Sequence, residues 1–438
     1  MSDVRVRFAP SPTGNVHIGN IRAAIFNWLY ARHVGGKFLL RVEDTDLERS
    51  TPEAIQTLLA CMEWLKLDYD EPVVYQTHNV QKHLAAAEKL LADGRAYKED
   101  KGGKGECVIF RMPKEGRLEY TDLVKGRMKK KAEDTQDFVI VRSDGSPVFH
   151  LANVVDDIEQ GITHVIRGDD HVENTFKHLE LFKALGATPP QYAHLPMIVN
   201  NQGKPYSKRD GAAFVGEFRE QGFLPEALFN FLLLLGWAPD DNTEVLTREE
   251  MIERFSLDRC KSSAARFDMK KLIWMNGEYI RRQPREVYGK EFLTRVREAG
   301  LSTEGVDIDG IVEQMQVRTK FYSEIPGNCT YFFTEAYPFD PKGVEKRLHA
   351  AGVPEILESV AEQYDALPSF DLQTTHDVIA AMAESKGVNM GVMIHPVRVA
   401  VSGVSEGPGL FEMLVLIGRE KVCARLRTVA KRLREGTL

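Results

Sequence analysis

Val4-Arg-Val-Arg-Phe8 alternates apolar and polar positions with period two, which predicts a short strand. Ala9-Pro-Ser-Pro-Thr-Gly14 then breaks the chain with two prolines and a glycine. Ile21, Ile25, Trp28 and Leu29 fall on one face at helical spacing, and Gly35-Gly36 supplies a stop. A second apolar run, Lys37–Val42, predicts a strand leading into Glu43-Asp-Thr-Asp46. Strand, loop, helix and strand at this spacing predict a βαβ unit with a parallel sheet. The loop after the first strand of such a unit is a place where nucleotides bind.

Helical periodicity continues over residues 52–67 and 80–93, the second run stopping at Gly94. Residues 94–148 change character: Gly and Lys are frequent, only 107–111 and 138–142 look strand-like, and Ser143-Asp-Gly-Ser146 predicts a hairpin turn. The α/β pattern returns with a strand over 163–167, a helix over 173–185 and a strand over 192–199, and the chain beyond Ala212 reads as mostly helical. The expected architecture is an α/β nucleotide-binding domain split by an insertion, then an all-helical C-terminal region. Expected boundaries are 1–93 and 149–215 for the two halves of the α/β domain and 94–148 for the insertion, with 216–285 and 286–438 following.

Composition narrows the setting. The 438 residues are too many for one core. Five scattered cysteines suit a reducing cytoplasm better than a disulfide framework. The N-terminus has no apolar signal core, and the longest greasy stretch, Leu228 to Trp237, is well short of the ~20 residues of a membrane span. A net charge of −7 argues against a nucleic-acid partner, but the charge is uneven. Residues 94–147 carry thirteen Lys/Arg against ten Asp/Glu, and residues 398–438 carry eight against four. Two basic zones suit phosphates held at two places, and solvated helix faces are the competing explanation.

Two elements carry candidate chemistry. Val16-His17-Ile18-Gly19-Asn20 opens the first predicted helix, where free backbone N–H groups and a partial positive charge suit a triphosphate. His17 offers a donor to phosphate oxygens, and Gly19 leaves room for an adenine ring against the backbone. Gly203-Lys204-Pro205-Tyr206-Ser207-Lys208-Arg209 follows a predicted strand, and Lys208 is a compact charge able to follow a growing phosphate anion. Either motif alone is commonplace; their combination about 190 residues apart is specific.

The pair resembles the signature motifs of class I aminoacyl-tRNA synthetases. His17 to Asn20 matches the "HIGH" motif with Asn at its last position, and Pro205 to Arg209 matches "KMSKS". Wider matches resemble the bacterial-type glutamyl-tRNA synthetases. They are Arg7-Phe-Ala-Pro-Ser-Pro-Thr-Gly14, Arg41-Val-Glu-Asp-Thr-Asp46, His150-Leu-Ala-Asn-Val-Val-Asp-Asp157, Val165-Ile-Arg-Gly-Asp-Asp-His171, Leu224-Pro-Glu-Ala-Leu228 with Leu234-Leu-Gly-Trp237, His395-Pro-Val-Arg-Val-Ala400 and Gly407-Pro-Gly-Leu-Phe411. They extend over nearly the whole chain.

The resemblance implies a Rossmann-like catalytic domain, an inserted domain for the tRNA acceptor end, a stem-contact region over 216–285 and an anticodon-binding region over 286–438. It implies that glutamate is activated with ATP and Mg²⁺ and joined to tRNA-Glu, which must bind before activation. The alternative is a non-discriminating form that also charges tRNA-Gln. Position by position, glutamate falls to Arg7, Ala9, Ser11, Glu43, Phe149, Asn153 and Arg167. ATP falls to His17, Gly19, Asn20, Asp170, His171, Ile198, Lys204, Ser207 and Lys208, with His17 and Lys208 stabilising the transferring phosphate. An acidic substrate also needs these residue types on chemical grounds: a guanidinium for its carboxylate and an acid for its ammonium. Three positions depart from the family. Phe149 replaces a frequent tyrosine; Pro205 takes the first lysine position, with Lys204 as its stand-in; and the insertion lacks clustered Cys/His ligands. No structural zinc or other protein-held metal is therefore expected. The family is usually monomeric. A glutaminyl-tRNA synthetase would end in β-barrels, and a non-catalytic tRNA binder would have no use for His17, Gly19, Ser207 and Lys208.

Overall fold

The computed structural model describes residues 3–12, 14–45, 50–102 and 105–438. Thr13 of the proline-rich loop and Asp46 of the acidic motif lie outside the described residues. The chain divides into two compact units, Met1–Met275 and Asn276–Leu438.

In the first unit, β1 (Arg5–Phe8), α1 (Ile18–Val34) and β2 (Lys37–Val42) form the expected βαβ unit, with Arg5 to Phe8 paired in parallel to Lys37 to Leu40. α1 starts under the side chain of His17 and ends at Gly35, whose φ of 66° needs no Cβ penalty. Gly36 must also be glycine: a Cβ there would sit 2.5 Å from the Val4 carbonyl oxygen. α1 is buried over more than the one expected face, since Ala24, Phe26 and Ala31 are covered as well as Ile21, Ile25, Trp28 and Leu29. α2 (Pro52–Trp64), capped by Thr51, stops earlier than the periodicity suggests, and β3 (Val74–Tyr75) and α3 (Val80–Ala92) follow.

The segment after α3 holds more strand than expected: β4 (Ala96–Asp100), β5 (Glu106–Phe110), β6 (Arg117–Asp122), β7 (Gly126–Lys131) and β8 (Phe138–Val141). β4, β5 and β8 make an antiparallel sheet. The basic run is strand β7, not a helix face; its residues are exposed or half-buried throughout, so no alternation of apolar residues marks it. α4 (Phe149–Glu159), β9 (His164–Gly168), α5 (Val172–Leu185), β10 (Gln191–Leu195) and β11 (Ile198–Val199) restore the α/β pattern. Pro196 has no N–H for a sheet, which is why the strand expected over 192–199 is two pieces.

The main sheet has the order β3-β2-β1-β9-β10-β6-β7. Its strands are parallel up to β6, and only the β6–β7 hairpin is antiparallel. The hairpin of the insertion therefore belongs to the same sheet as the nucleotide-type strands. The insertion is held by a core shared with α3, α4 and α5, in which Phe110, Ile140, Leu151, Val154, Leu181 and Phe182 are buried. Covering each such side chain contributes roughly 1.5–3 kcal/mol. α6 (Val215–Glu220), α7 (Pro225–Leu234), α8 (Arg248–Arg254) and β12 (Ala265–Arg266), which pairs with β11, complete the unit.

The division between units falls within α9 (Met269–Arg282). The second unit is helical as expected: α10 (Arg285–Glu298), α11 (Ile308–Gln316), α12 (Ile325–Cys329), α13 (Pro341–Gly343), α14 (Val353–Asp365), α15 (Leu372–Ser385), α16 (Gly391–Ser402), α17 (Leu410–Ile417) and α18 (Arg419–Arg434). Its core includes Tyr288, Tyr331, Leu357, Tyr364 and Leu426. Among the described residues no helix is long and apolar enough to cross a membrane.

Candidate active site

The first signature motif is stitched by backbone to the segment that follows the second. Ile18 donates its N–H to Ala213 O at 2.9 Å and Val215 donates to Val16 O at 3.0 Å, so His17 lies opposite Phe214. Glu217 holds that partner segment by accepting the Ala213 and Phe214 N–H groups at 2.9 and 3.1 Å. His17 caps α1: its Nδ1 accepts the Gly19 N–H at 3.0 Å, which leaves the ring proton on Nε2. Burial pushes the His17 pKa down, against a hydrogen bond to the Tyr206 backbone, so the ring is a neutral donor at pH 7. The Phe214 ring meets His17 edge-on at 6.1 Å and also lies 5.8 Å from Lys208 Nζ. One aromatic ring thus neighbours both residues expected to face the transferring phosphate.

The second motif is an ordered turn. Gly203 donates to Asn200 O at 3.0 Å, and Tyr206 stacks on Phe267 at 4.3 Å. Asp210 accepts from Ser207 N at 3.0 Å, Ser207 Oγ at 3.1 Å and Asn200 Nδ2 at 2.7 Å, binding the ends of the loop to each other.

Beyond the sheet's strand ends, side chains converge around paired charges. Asp157, on α4, accepts from Arg7 Nε at 3.1 Å, Arg7 Nη2 at 3.3 Å and Arg41 Nη1 at 2.6 Å. Burial opposes its charge, but Arg7 and Arg41 outweigh burial and hold its carboxyl below the usual range. Glu43 accepts from Asn153 Nδ2 at 2.7 Å and lies 3.4 Å from Arg41. Burial raises its carboxyl, with Arg41, Arg7 and Asn153 pulling the other way. Asn153 Oδ1 is buried with no hydrogen-bond partner among the described residues. Arg167 is buried and donates to neutral groups: Nε to His194 Nε2 at 3.2 Å, and Nη2 to Thr175 Oγ1 at 2.7 Å and His171 O at 3.2 Å.

Arg7, Glu43, Asn153 and Arg167 face one cavity of about 800 Å³, with Asp157, Arg41 and His194 behind its wall. Of the residues expected to meet glutamate, Arg7, Ala9, Ser11, Glu43, Phe149, Asn153 and Arg167 all line it. Of those expected to meet ATP, His17, Gly19, Asn20, Asp170, His171 and Ile198 line it, while Lys204, Ser207 and Lys208 do not; Pro205 and Tyr206 represent their loop in the wall. Sequence reasoning missed Arg22, Asp157, His194 and Phe214. Arg22 lines the cavity and donates from Nη1 to Leu235 O at 2.6 Å and from Nη2 to Pro196 O, so a buried guanidinium, its pKa lowered by burial to about 10, fastens α1 to two loops. Its only sequence signal is a charge among the apolar residues of the first turns of α1.

A family model described as "tRNA synthetases class I (E and Q), catalytic domain" matches residues 3–104 and 98–274, and one described as "Anticodon binding domain" matches 288–430. "Glutamate--tRNA ligase" of Akkermansia muciniphila is 42% identical over 443 residues, covering 98% of this chain and 99% of that one. "Glutamate--tRNA ligase 1" of Caldanaerobacter subterraneus subsp. tengcongensis is 38% identical over 477 residues, covering 100% and 99%. The chain belongs to the glutamate–tRNA ligase family. A crystal structure of a glutamate tRNA ligase from Elizabethkingia meningosepticum in complex with its amino acid superposes with a TM-score of 0.87 at 28% identity, covering 99% of this chain and 100% of that one. The α/β catalytic fold and the helical C-terminal unit expected of a glutamyl-tRNA synthetase are thereby both found.

Proposed function

We propose that this ligase activates glutamate in the 800 Å³ cavity, with ATP against the start of α1 and glutamate between Arg7, Glu43, Asn153 and Arg167. The observation that carries the reading is Arg167. A buried guanidinium whose hydrogen bonds all go to neutral groups is costly until an anion joins it, and a glutamate side-chain carboxylate supplies that anion. Glu43 and the open Asn153 Oδ1 suit the ammonium group. Asp170 and His171 would meet the ribose and Ile198 the adenine.

Glutamate's α-carboxylate attacks the α-phosphorus, a bond to its oxygen forms, and pyrophosphate leaves. ATP enters as its Mg²⁺ complex, the ion being part of the substrate. The residues act by placement and charge: His17 Nε2–H donates to phosphate oxygens, and Lys208, with Ser207 and Lys204 on the same loop, follows the leaving charge. A terminal ribose hydroxyl of tRNA then attacks the adenylate carbonyl and AMP leaves. The exposed lysines of β7 would steer the acceptor end, residues 216–285 would touch the stem, and residues 286–438 would read the unstacked anticodon bases. The enzyme would work as a cytoplasmic monomer on tRNA-Glu; the non-discriminating form, also charging tRNA-Gln, is the alternative.

The test is attachment of labelled glutamate to purified tRNA-Glu and tRNA-Gln transcripts with ATP and Mg²⁺, beside Lys208→Ala. Charging of tRNA-Glu alone, falling about 10²–10³-fold in the variant, is expected. Charging of both tRNAs would identify the non-discriminating form, and charging by glutamine instead would overturn the glutamate site.

A further inference from the structure

Behind Arg167 lies a buried chain of three side chains that nothing in the reaction just described requires. His194, in the middle of β10, is fully buried. Its Nε2 lies 3.2 Å from Arg167 Nε, and its Nδ1 lies 2.5 Å from Asp122 Oδ2. Asp122 ends β6 and is itself buried; its Oδ1 accepts the N–H groups of His194 at 3.2 Å, Val124 at 2.9 Å and Lys125 at 2.8 Å. Thr175 Oγ1 lies 3.2 Å from the same His194 Nε2. Tyr192 flanks the group, stacked against His194 at 6.0 Å and lying under the Arg167 guanidinium at 5.3 Å.

The protons in this chain are fixed by chemistry. An arginine Nε always bears hydrogen, so His194 Nε2 must accept from it. The histidine proton is then on Nδ1 and is donated to Asp122. Only the neutral imidazole in this one tautomer satisfies both neighbours. The charged groups that act on the ring are Asp122 on β6, Arg167 on β9 and Asp169 just after it; burial outweighs the two acids and keeps the ring neutral. Arg167 is thus gripped through Nε and Nη2, while Nη1 has no partner among the described residues and the residue lines the cavity.

We propose that His194, locked into one tautomer by Asp122, is a positioning residue that aims Arg167 at the glutamate side chain and so sets the preference for glutamate over glutamine. A guanidinium free to rotate would meet a neutral amide nearly as well as a carboxylate; one held in place keeps its donors where a two-oxygen anion needs them. This rests on the reading of Arg167 as a glutamate contact.

The experiment compares full-length Arg167→Ala, His194→Asn, His194→Gln and Asp122→Asn, each with tRNA-Glu present. It reads KM for glutamate, KM for ATP and inhibition by glutamine. A glutamine side chain places its amide near the Nε2 position and can accept from Arg167; an asparagine reaches only the Nδ1 position. The amide introduced by Asp122→Asn can donate to Nδ1, which would put the histidine proton on Nε2, facing the arginine N–H. The expected result is about a tenfold rise in glutamate KM for His194→Asn and Asp122→Asn. ATP KM stays unchanged, glutamine inhibition strengthens, and His194→Gln stays close to the parent. If His194→Asn fails to fold, Asp122→Asn against His194→Gln carries the same comparison. Should Arg167→Ala raise glutamate KM while the His194 and Asp122 variants lower only thermal stability, the positioning role is wrong and the site reading stands. Should Arg167→Ala leave glutamate KM unchanged, both fall.

Discussion

Arg7 and Asp157, 150 positions apart, face each other through two hydrogen bonds at 3.1 and 3.3 Å, both side chains buried. Arg41 takes the same carboxylate at 2.6 Å, so one acid on α4 bridges two guanidiniums at the ends of β1 and β2, with Glu43 at 3.4 Å sharing the charge of Arg41. Asp157→Ala would leave both charges buried without their shared partner, which costs roughly 3–5 kcal/mol. Denaturant unfolding of the variant should show that loss; a change below about 1 kcal/mol would mean water or another acid takes over.

His17 does two separable jobs. As the cap of α1 it accepts the Gly19 N–H, and as a neutral ring it offers Nε2–H to the cavity. His17→Ala should lose about 1 kcal/mol of stability and about 10²–10³-fold in kcat. His17→Asn restores a good cap and should recover the stability without the rate. Equal activity of His17→Asn and the parent would remove the ring from the chemistry.

Acid should loosen the first unit before carboxylates titrate. Burial, with Lys177, Arg167 and His171, lowers the His150 pKa to about 4, and His178 beside it is pushed well below its ordinary value by burial first and Arg167 second. An unfolded chain protonates these rings near pH 6.5 while the folded one does not, so stability falls as pH drops from about 6.5 toward 4. His150 alone should remove about 1.4 kcal/mol between pH 7.5 and 5.5. Urea midpoints at the two pH values measure it, and His150→Asn should flatten the slope.

The second unit has a position where only glycine fits. Gly403 ends α16 with a φ of 75°, and a Cβ there would stand 2.0 Å from Pro338 O. Gly403→Ala should destabilise that unit by at least about 2 kcal/mol. Calorimetry should show its transition moving down while ATP-dependent chemistry at lower temperature is kept.

The parts of the fold that the sequence makes legible are those with a strong local period. β1, α1 and β2 announce themselves because a parallel strand and its crossover helix carry apolar residues at fixed spacing. β6 and β7 escape notice because Arg117, Glu119, Lys129 and Lys131 fill one face while the other breaks its apolar set of Leu118, Tyr120 and Met128 with Asp122 and Lys130, so the alternation is weak; its place is set by Tyr192 and Asp122 meeting across 70 positions. The cavity wall is legible wherever a motif names it. The supports behind the wall are not: His194 is one histidine in an apolar strand, and its meaning lies in Asp122 and Arg167, neither near it in sequence. Phe214 likewise has no signal of its own, since its role comes from lying opposite His17.

The hairpin's place in the main sheet bears on how this protein could be engineered. With β6 and β7 as the outer two strands beyond β10, residues 117–131 cover the flank of a buried, largely apolar strand. An insertion in this position is not a detachable cassette. Cutting it out, or exchanging it for a shorter loop, would uncover the backbone of β10 as a raw edge able to pair with a second molecule. The first symptom of such a deletion would be insoluble protein, and a replacement hairpin would have to keep a hydrogen-bonding strand and an acid at position 122 before any question of RNA binding arose.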